Sequence, residues 1–345
     1  MQALDLFSGA GGMSLGAKMA GITVVQAVEN DQFACQTYSR NFPSVSLFSK
    51  SIENFCFSDV TFSPDIIFGG PPCQGFSTSN QRTRNKDNKS NWLFQECIRI
   101  VELLLPEWVV LENVKGLIET ENGLFLKMII RKLKKLGYTV NHTILNATDH
   151  GVPQQRNRLF VVGNRRGSQF KFSRSTQPSV VTVADAISDL PILNNGASTS
   201  WQLYRHSSPS SYAQRMRNMD GCENNIVTQN SSNVIERYRH IVQGGNWKCI
   251  PNYLMTNYKD STRCHTGIYY RLKYDSPSVV LGNFRKNMLV HPIEDRGISV
   301  REAARIQSFP DWFVFEGSIG FQQQQVGNAV PPLLAHSVFE QIVKS

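Results

Sequence analysis

One of the seven cysteines stands in a setting unlike the other six. Cys73 lies in Gly69-Gly-Pro-Pro-Cys-Gln-Gly-Phe-Ser77, after a double proline at the end of an apolar run and before glycine and polar residues. The prolines stiffen the backbone there, and a thiol at such a strand end is expected to line a cleft. A thiolate is a soft nucleophile that needs a lowered pKa or a nearby base. Cys35, Cys56 and Cys97 read instead as small buried hydrophobes, Cys97 within the apolar face of a helix. No two cysteines form a Cys-x-x-Cys pair, so zinc ligation, a disulfide framework and a bound metal are all unexpected, and reduced thiols fit best.

Three further stretches could act with that thiol. Glu112-Asn-Val114 ends a buried-looking strand in a carboxylate; a glutamate sharing a cleft with a thiol suits general acid work on a ring nitrogen, although such acids also cap helices. Gln154-Gln-Arg-Asn-Arg158 presents two guanidinium forks, Arg156 and Arg158, before a strand. Forks suit phosphate, carboxylate or base-edge oxygens; the blander reading is an exposed basic sheet edge. The loop from Asp5 to Gly16, Asp-Leu-Phe-Ser-Gly-Ala-Gly-Gly-Met-Ser-Leu-Gly, lies between a strand and a helix, where glycines let a backbone approach a ligand and amides face it. With Glu29 at the next strand's end to accept from a ribose diol, the loop suits an adenosine-containing cofactor; the alternatives are a dinucleotide, the default for such a loop, and a structural turn.

These residues need a scaffold, and the elements around them supply one. Residues 3–7 read as a strand, followed by a helix to about Ala20, a strand from Ile22 to Val28, and a helix from Asp31, its N-cap, to Asn41. Asp65 to Phe68 is a strand closed by Gly69-Gly-Pro-Pro72, Trp92 to Leu105 a helix stopping before Pro106, and Trp108 to Leu111 a strand. Leu124 to Leu136 is an amphipathic basic helix ended by Gly137, and Tyr138 to Leu145 and Leu159 to Val162 are strands. The alternation predicts an α/β doubly wound, Rossmann-like sheet, in which loops at the carboxyl ends of strands carry the chemistry. The loops after Phe7, Phe68 and Leu111 all stand at that position.

After about Gly163 the alternation degrades. Residues 164–298 are rich in Ser, Asn, Arg and Tyr, and helices resume at Val300 to Ser308 and Leu333 to Val343. From Arg165 to residue 298 there are 17 Lys and Arg against 9 Asp and Glu, an excess of eight out of a formal net charge of +9. That concentration points to a separate polyanion-facing module, against the bland alternative of a solvated basic surface. The expected division is 1–163, 164–298 and a return of 299–345 to the first part. No apolar stretch approaches the roughly 18 residues of a membrane span. Ala3 to Phe7 follows Met1 without a basic region or cleavage site, so no signal peptide is expected.

In order, Asp5-Leu-Phe-Ser-Gly-Ala-Gly-Gly12, Gly70-Pro-Pro-Cys-Gln-Gly-Phe-Ser77, Glu112-Asn-Val114, Gln154-Gln-Arg-Asn-Arg158, Arg301-Glu-Ala-Ala-Arg-Ile-Gln-Ser-Phe-Pro310 and Gln325-Val-Gly-Asn-Ala-Val-Pro-Pro332 resemble the motif set of bacterial DNA cytosine-C5 methyltransferases. The resemblance implies that Phe7, Ser8, Gly9, Gly11 and Glu29 bind S-adenosylmethionine, with Ile52, Pro72, Leu93, Asn328 and Val330 completing the pocket. It implies that Cys73 adds to cytosine C6, that Glu112 binds ring N3 and the exocyclic amine, and that Arg156 and Arg158 hold Glu112 and the base or its phosphate. C5 of cytosine is not nucleophilic until something adds at C6, and neither atom is reachable in a duplex, so the base must flip out at a cost of a few kcal/mol.

Residues 77–91 are polar and basic, as expected of a mobile loop closing on DNA phosphates, with Ser77, Ser79, Arg82 and Arg84 as contacts. The family resemblance makes the basic middle the DNA-reading module, with Arg237, Arg239, Lys248, Arg263, Arg271 and Arg285 as candidates, and packs the C-terminal helix beside the first strand. It implies a cytoplasmic, bacterial or phage-encoded monomer acting on double-stranded DNA, with or without a partner restriction endonuclease. Two positions depart from the family pattern. Ser51 stands where an acid commonly meets the adenine amine, and Asn30 where an aromatic residue is common. Two rival readings are an RNA cytosine methyltransferase of the same fold and a regulatory DNA-binding protein; Pro72-Cys73-Gln74 with the sizeable basic module opposes the first, and intact Cys73 and Glu112 the second.

Overall fold

The computed structural model describes residues 1–72, 92–173, 179–207, 210–256, 267–282 and 284–345. The chain runs β1 (Gln2–Leu6), α1 (Gly12–Met19), β2 (Thr23–Val28), α2 (Gln32–Asn41), β3 (Ser46–Phe48), β4 (Ile66–Gly69), α3 (Phe94–Leu104), β5 (Trp108–Val114), α4 (Gly116–Glu119), α5 (Leu124–Lys135), β6 (Thr139–Asn146) and β7 (Asn157–Asn164). It continues through α6 (Val183–Ile187), β8 (Gln202–Leu203), α7 (Ser211–Met216), β9 (Gly221–Cys222), α8 (Ser232–Arg239), α9 (Val300–Ile306), α10 (Ile319–Asn328) and α11 (Pro332–Val343). It divides into two compact units. The first holds Met1–His150, Asn157–Thr176 and Val330–Ser345; the second holds Gly151–Arg156 and Gln177–Ala329.

In the first unit, seven strands form one sheet in the order β3-β2-β1-β4-β5-β7-β6. The first five are parallel, and β7 runs antiparallel between β5 and β6. The doubly wound α/β expectation is therefore met. Strand β4 is apolar and buried throughout, and β1 from Ala3 and β5 from Trp108 to Leu111 are buried runs, apolar but for Asp5, as strands covered on both faces must be. Leu4, Leu6, Ile67, Val109 and Leu111 join Ile98, Val101, Phe125, Ile129 and Leu133 of α3 and α5 in one core. Asp31 caps α2 as expected, accepting from the amides of Phe33 and Ala34.

The other face is closed by α1 and α11. A Cβ at Gly16 would lie 2.6 Å from the Ala335 Cβ and 2.7 Å from the His336 nitrogen, so only a glycine lets these helices cross so closely. The ring of Phe339 on α11 packs 4.8 Å from that of Phe68 on β4. Ser14 on α1 donates to Asp5 on β1 (2.6 Å) and meets the Tyr38 hydroxyl on α2 (2.7 Å), so one buried serine ties three elements. Burial pushes the Asp5 carboxyl well above the usual range against the opposing Ser14 hydrogen bond.

The second unit is held differently, by buried arginines. Arg305 of α9 donates to Asp311 (2.6 and 2.7 Å), to Asp189 (3.2 Å) and to the Ala186 carbonyl (2.9 Å). Arg301 donates to the carbonyls of Glu223, Pro310 and Phe313. Arg296 pairs with Glu302 at 2.7 Å, and Glu302 is held down at about 2, the pull of Arg296 and His291 outweighing the effect of burial. Helices α9 and α10 fall within the second unit, whose last residue is Ala329, where the sequence reading sets a return to the first part at residue 299. Replacing Arg305 with methionine removes the partner that Asp189 and Asp311 share, leaving Asp189 to Arg217 and Asp311 to Arg301 and the Tyr204 hydroxyl, both acids having fully buried side chains. Unfolding of Arg305→Met by urea should show a clear loss of stability, smaller than the about 3–5 kcal/mol of a buried charge left with no partner. Unchanged stability would mean that Arg217, Arg301 and Tyr204 alone satisfy the two acids.

Among the described residues no helix is long and apolar enough to cross a membrane, and no cluster of ligating side chains could hold a metal ion.

Candidate active site

The parallel register lines up the strand ends. Leu6 faces Val28 on one side and Gly69 on the other; Gly69 faces Leu111, and Val28 faces Phe48. The next residues along each strand, Glu29, Phe7, Gly70 and Glu112, therefore stand in a row at the carboxyl edge. At about 4.8 Å per strand, the row from Glu29 to Glu112 spans about 14 Å. The sequence reading already set the loops after Phe7, Phe68 and Leu111 at strand carboxyl ends; the register gives their order along one edge.

At one end of the row is the glycine loop. Phe7 sits in the left-handed region at φ 60, a conformation that costs a non-glycine residue of order 1–3 kcal/mol and marks a functional turn. Gly11 has φ 100, and a Cβ there would strike the Phe42 ring at 2.4 Å, so both its conformation and its space demand glycine. The Glu29 carboxylate accepts from the amide of Gly9 at 2.7 Å with one oxygen and from Asn30 (2.8 Å) and Asp31 (2.9 Å) with the other. It thus ties the loop after β1 to the end of β2, and of its four acceptor positions one remains for an added donor. Ser8 is buried, and its hydroxyl has no hydrogen-bond partner among the described residues. A buried, unsatisfied hydroxyl costs free energy unless a ligand or water meets it. Ile52 is buried, and Arg99 donates to its carbonyl at 3.0 Å. Leu93 precedes α3, half-buried against the core. Asn30 is exposed, and Ser51 precedes the short turn at Ile52–Asn54.

At the other end is the acid. Arg158 pairs through Nε with Oε1 of Glu112 at 2.7 Å, and both side chains are nearly buried. The antiparallel register explains the contact: Arg158 lies opposite Val114, one diagonal step from Glu112 on the same sheet face. Burial lowers the Arg158 pKa, and Glu112 works to raise it. Oε2 of Glu112 is the oxygen turned toward the loop after β4, because a Cβ on Gly70 would lie 3.0 Å from it. Asn113 then donates from Nδ2 to the Pro71 carbonyl at 3.2 Å, fastening that loop to the end of β5. Gly70 and Asn113 are site-building residues to which sequence reasoning assigned no role; their only signal was membership of the motifs. Pro72 is half-buried. Cys73, Ser77, Ser79, Arg82, Arg84 and Arg263 lie outside the described residues.

Several expected contacts are placed elsewhere. Arg156 is not on the strand with Arg158; it belongs to the second unit and is 1% exposed. Its guanidinium donates to the carbonyls of Gly327 (2.8 Å) and Ala329 (3.0 Å), so the paired fork is reduced to Arg158 alone. Arg271 is buried, and its five N–H groups have five acceptors, the carbonyls of Ile241, Tyr238, His291 and Glu294 and the carboxylate of Asp295. It cannot also read DNA. Arg237 is buried against the Leu254 carbonyl and the Tyr269 hydroxyl. The charge excess of the middle region is thus partly internal. Arg239, Lys248 and Arg285 are exposed. Asn328 is exposed at the end of α10 in the second unit, and Val330 is buried in the first. Cys97 is buried as expected, Cys35 half-buried, but Cys56 is exposed and donates toward the Asn54 carbonyl instead of packing.

The fold and this edge define the class: a doubly wound α/β protein with a glycine loop and an acid–arginine pair at the carboxyl ends of one sheet. The family model for C-5 cytosine-specific DNA methylases matches residues 1–344. The chain belongs to that family and is a C5 cytosine DNA methyltransferase. It is 36% identical over 348 residues to the type II methyltransferase M1.HphI of Haemophilus parahaemolyticus, covering 99% of this chain and 86% of that protein. It is 35% identical over 369 residues to M.DdeI of Desulfomicrobium norvegicum, covering 99% and 88%. Among solved structures, a prophage-encoded E. coli protein described as a DNA modification methyltransferase superposes with a TM-score of 0.82 at 27% identity, covering 100% of this chain and 99% of that one. The Dnmt2 methyltransferase of S. pombe shares the fold, with a TM-score of 0.63 at 16% identity over 100% and 97% of the two chains.

Proposed function

We propose that the chain methylates C5 of a cytosine flipped out of a specific double-stranded DNA sequence, with Cys73 as nucleophile and Glu112 as acid. The observation that carries this reading is Glu112, held on one oxygen by Arg158 and with the other turned to the loop that leads, one residue past Pro72, to Cys73. The Cys73 thiolate adds to C6, forming the S–C6 bond and moving the ring electrons toward N3. Glu112 accepts from the exocyclic amine and supplies a proton at N3, which leaves C5 as an enamine carbon. After C5 has gained its methyl group, its proton passes to solvent water, the C5–H electrons form the C5–C6 double bond as the S–C6 bond breaks and the thiolate leaves, and the N3 proton returns to Glu112, giving neutral 5-methylcytosine.

The methyl donor in this reading is S-adenosylmethionine, which when bound supplies an electrophilic methyl group. Phe7, Ser8, Gly9, Gly11 and Glu29 would hold it, with Ile52, Pro72, Leu93, Asn328 and Val330 around it. The fit rests on the unsatisfied Ser8 hydroxyl, the space beside Gly9 and the one remaining acceptor position on Glu29. With Ser51 in place of an acid, the adenine amine would find no carboxylate there.

Ser77, Ser79, Arg82 and Arg84 would meet the DNA backbone around the flipped base, and Arg239 and Arg285 would contact the duplex from residues 164–298. The type II relatives favour a modification enzyme of a restriction-modification system, or an orphan methylase, acting as a cytoplasmic monomer. Transfer of labelled methyl from S-adenosylmethionine to duplex DNA, and not to tRNA, is expected. Labelling of tRNA alone would overturn the substrate assignment. Bisulfite sequencing of DNA from cells expressing the chain should then show one modified cytosine in a fixed context.

A further inference from the structure

Helix α5 carries an arrangement that the reaction does not use. Its inner face, Phe125, Ile129 and Leu133, is buried in the core. Its outer face bears Lys127, Arg131, Lys134 and Lys135, all exposed, and with Ile130 these line a shallow groove in which no carboxylate takes part. No acid lies anywhere in Leu124–Lys135.

This arrangement works against the helix. Lys134 and Lys135 in the last turn complement the macrodipole, but Lys127 stands at the fourth helical position, where the positive end of the dipole opposes a cation. Lys127 with Arg131, and Arg131 with Lys135, are like-charge pairs at i,i+4, each of which destabilises a helix. A merely solvated face would be better served by alternating signs. A partner that relieves the repulsion must be a polyanion, and the chain's own substrate is one.

Topology says where such a partner would run. Strand β6 is parallel to β5, so α5 descends from the carboxyl edge that holds Glu112 to the opposite edge of the sheet. From Lys127 to Lys135 the helix rises about 12 Å, the length of about three to four base-pair steps along one DNA strand. We infer that the outer face of α5 binds the phosphate backbone of duplex DNA flanking the target, as a second contact surface apart from the reading module. This inference rests on duplex DNA as the substrate.

The test uses the full-length chain and the variant K127Q/R131Q/K134Q/K135Q. Binding to fluorescent duplexes of about 12 and about 40 base pairs is followed by anisotropy between roughly 50 and 200 mM salt. For the long duplex, the slope of log K against log salt should become shallower by about 0.9 for each phosphate no longer neutralised, about 3 to 4 in all. The short duplex, which offers no backbone flanking the target site, should lose little. Methyl transfer at saturating long duplex should stay at the wild-type rate, which separates this surface from the reaction itself. Removing like charges should leave the melting temperature unchanged or higher. An unchanged slope on the long duplex, or an equal loss on both duplexes, overturns the inference.

Discussion

Changing Glu112 to glutamine is expected to lower kcat for methyl transfer by about 10²–10⁴, the range for losing a positioned proton donor. Glutamine keeps the shape and can still hydrogen-bond the exocyclic amine, but it has no proton to give at N3. The fall should therefore appear in kcat, with the KM for DNA changed less. Arg158→Lys tests the same site from the other side. A lysine restores charge but not the Nε contact to Oε1, so an intermediate rate is expected, below wild type and above Arg158→Ala. Either Arg158 change leaves a buried carboxylate poorly paired and should cost stability as well, so rates are compared well below each variant's melting temperature. Wild-type kcat in Glu112→Gln would remove the acid role.

The second large effect concerns the nucleophile. Cys73→Ala is expected to depress methyl transfer by about 10⁴-fold or more, as loss of a covalent nucleophile does. A duplex with 5-fluorocytosine at the target separates this from a folding defect. Fluorine replaces the C5 proton that must leave, so the wild-type chain should accumulate a covalent complex that survives denaturing electrophoresis. Cys73→Ala should form none while binding the duplex as tightly as wild type. Trapping by the alanine variant at the wild-type level would mean that another residue attacks C6. Glu112→Gln should trap slowly, because addition at C6 needs the same proton at N3.

The parts of the scaffold that could be read from the sequence are those whose residues obey local rules. Strands β1, β4 and β5 announce themselves as apolar runs closed by glycine or proline, and α2 by its Asp31 cap. Helix α10 does not. Its glutamines are turned inward, Gln322 to the Gly317 carbonyl, Gln323 to Thr228 and Gln325 to the Glu316 carbonyl, so the periodicity of its buried face is written in polar residues. Strand β3 has three residues, too few for any period.

The arginines mark the same boundary. The resemblance placed both Arg156 and Arg158 beside Glu112, and the two look alike in one dimension, as Arg237 and Arg271 look like Arg239 or Arg285. What separates them is a set of carbonyl acceptors from distant segments, and no side-chain identity records where a carbonyl will stand. The active edge itself needed the parallel register, which aligned Glu29, Phe7, Gly70 and Glu112 although each belongs to a different loop.

On the proposed reading, in which residues 164–298 contact the duplex, the way Arg271 is held bears on how this protein could change its taste in DNA. Four of its five partners are main-chain carbonyls, which every amino acid supplies. Arg301 is anchored on three more. Substitutions along the outward side chains of the segments they grip leave those acceptors in place. Such a framework tolerates drift in whatever it displays, so a new recognition sequence could be acquired one exposed residue at a time without first rebuilding the support beneath it.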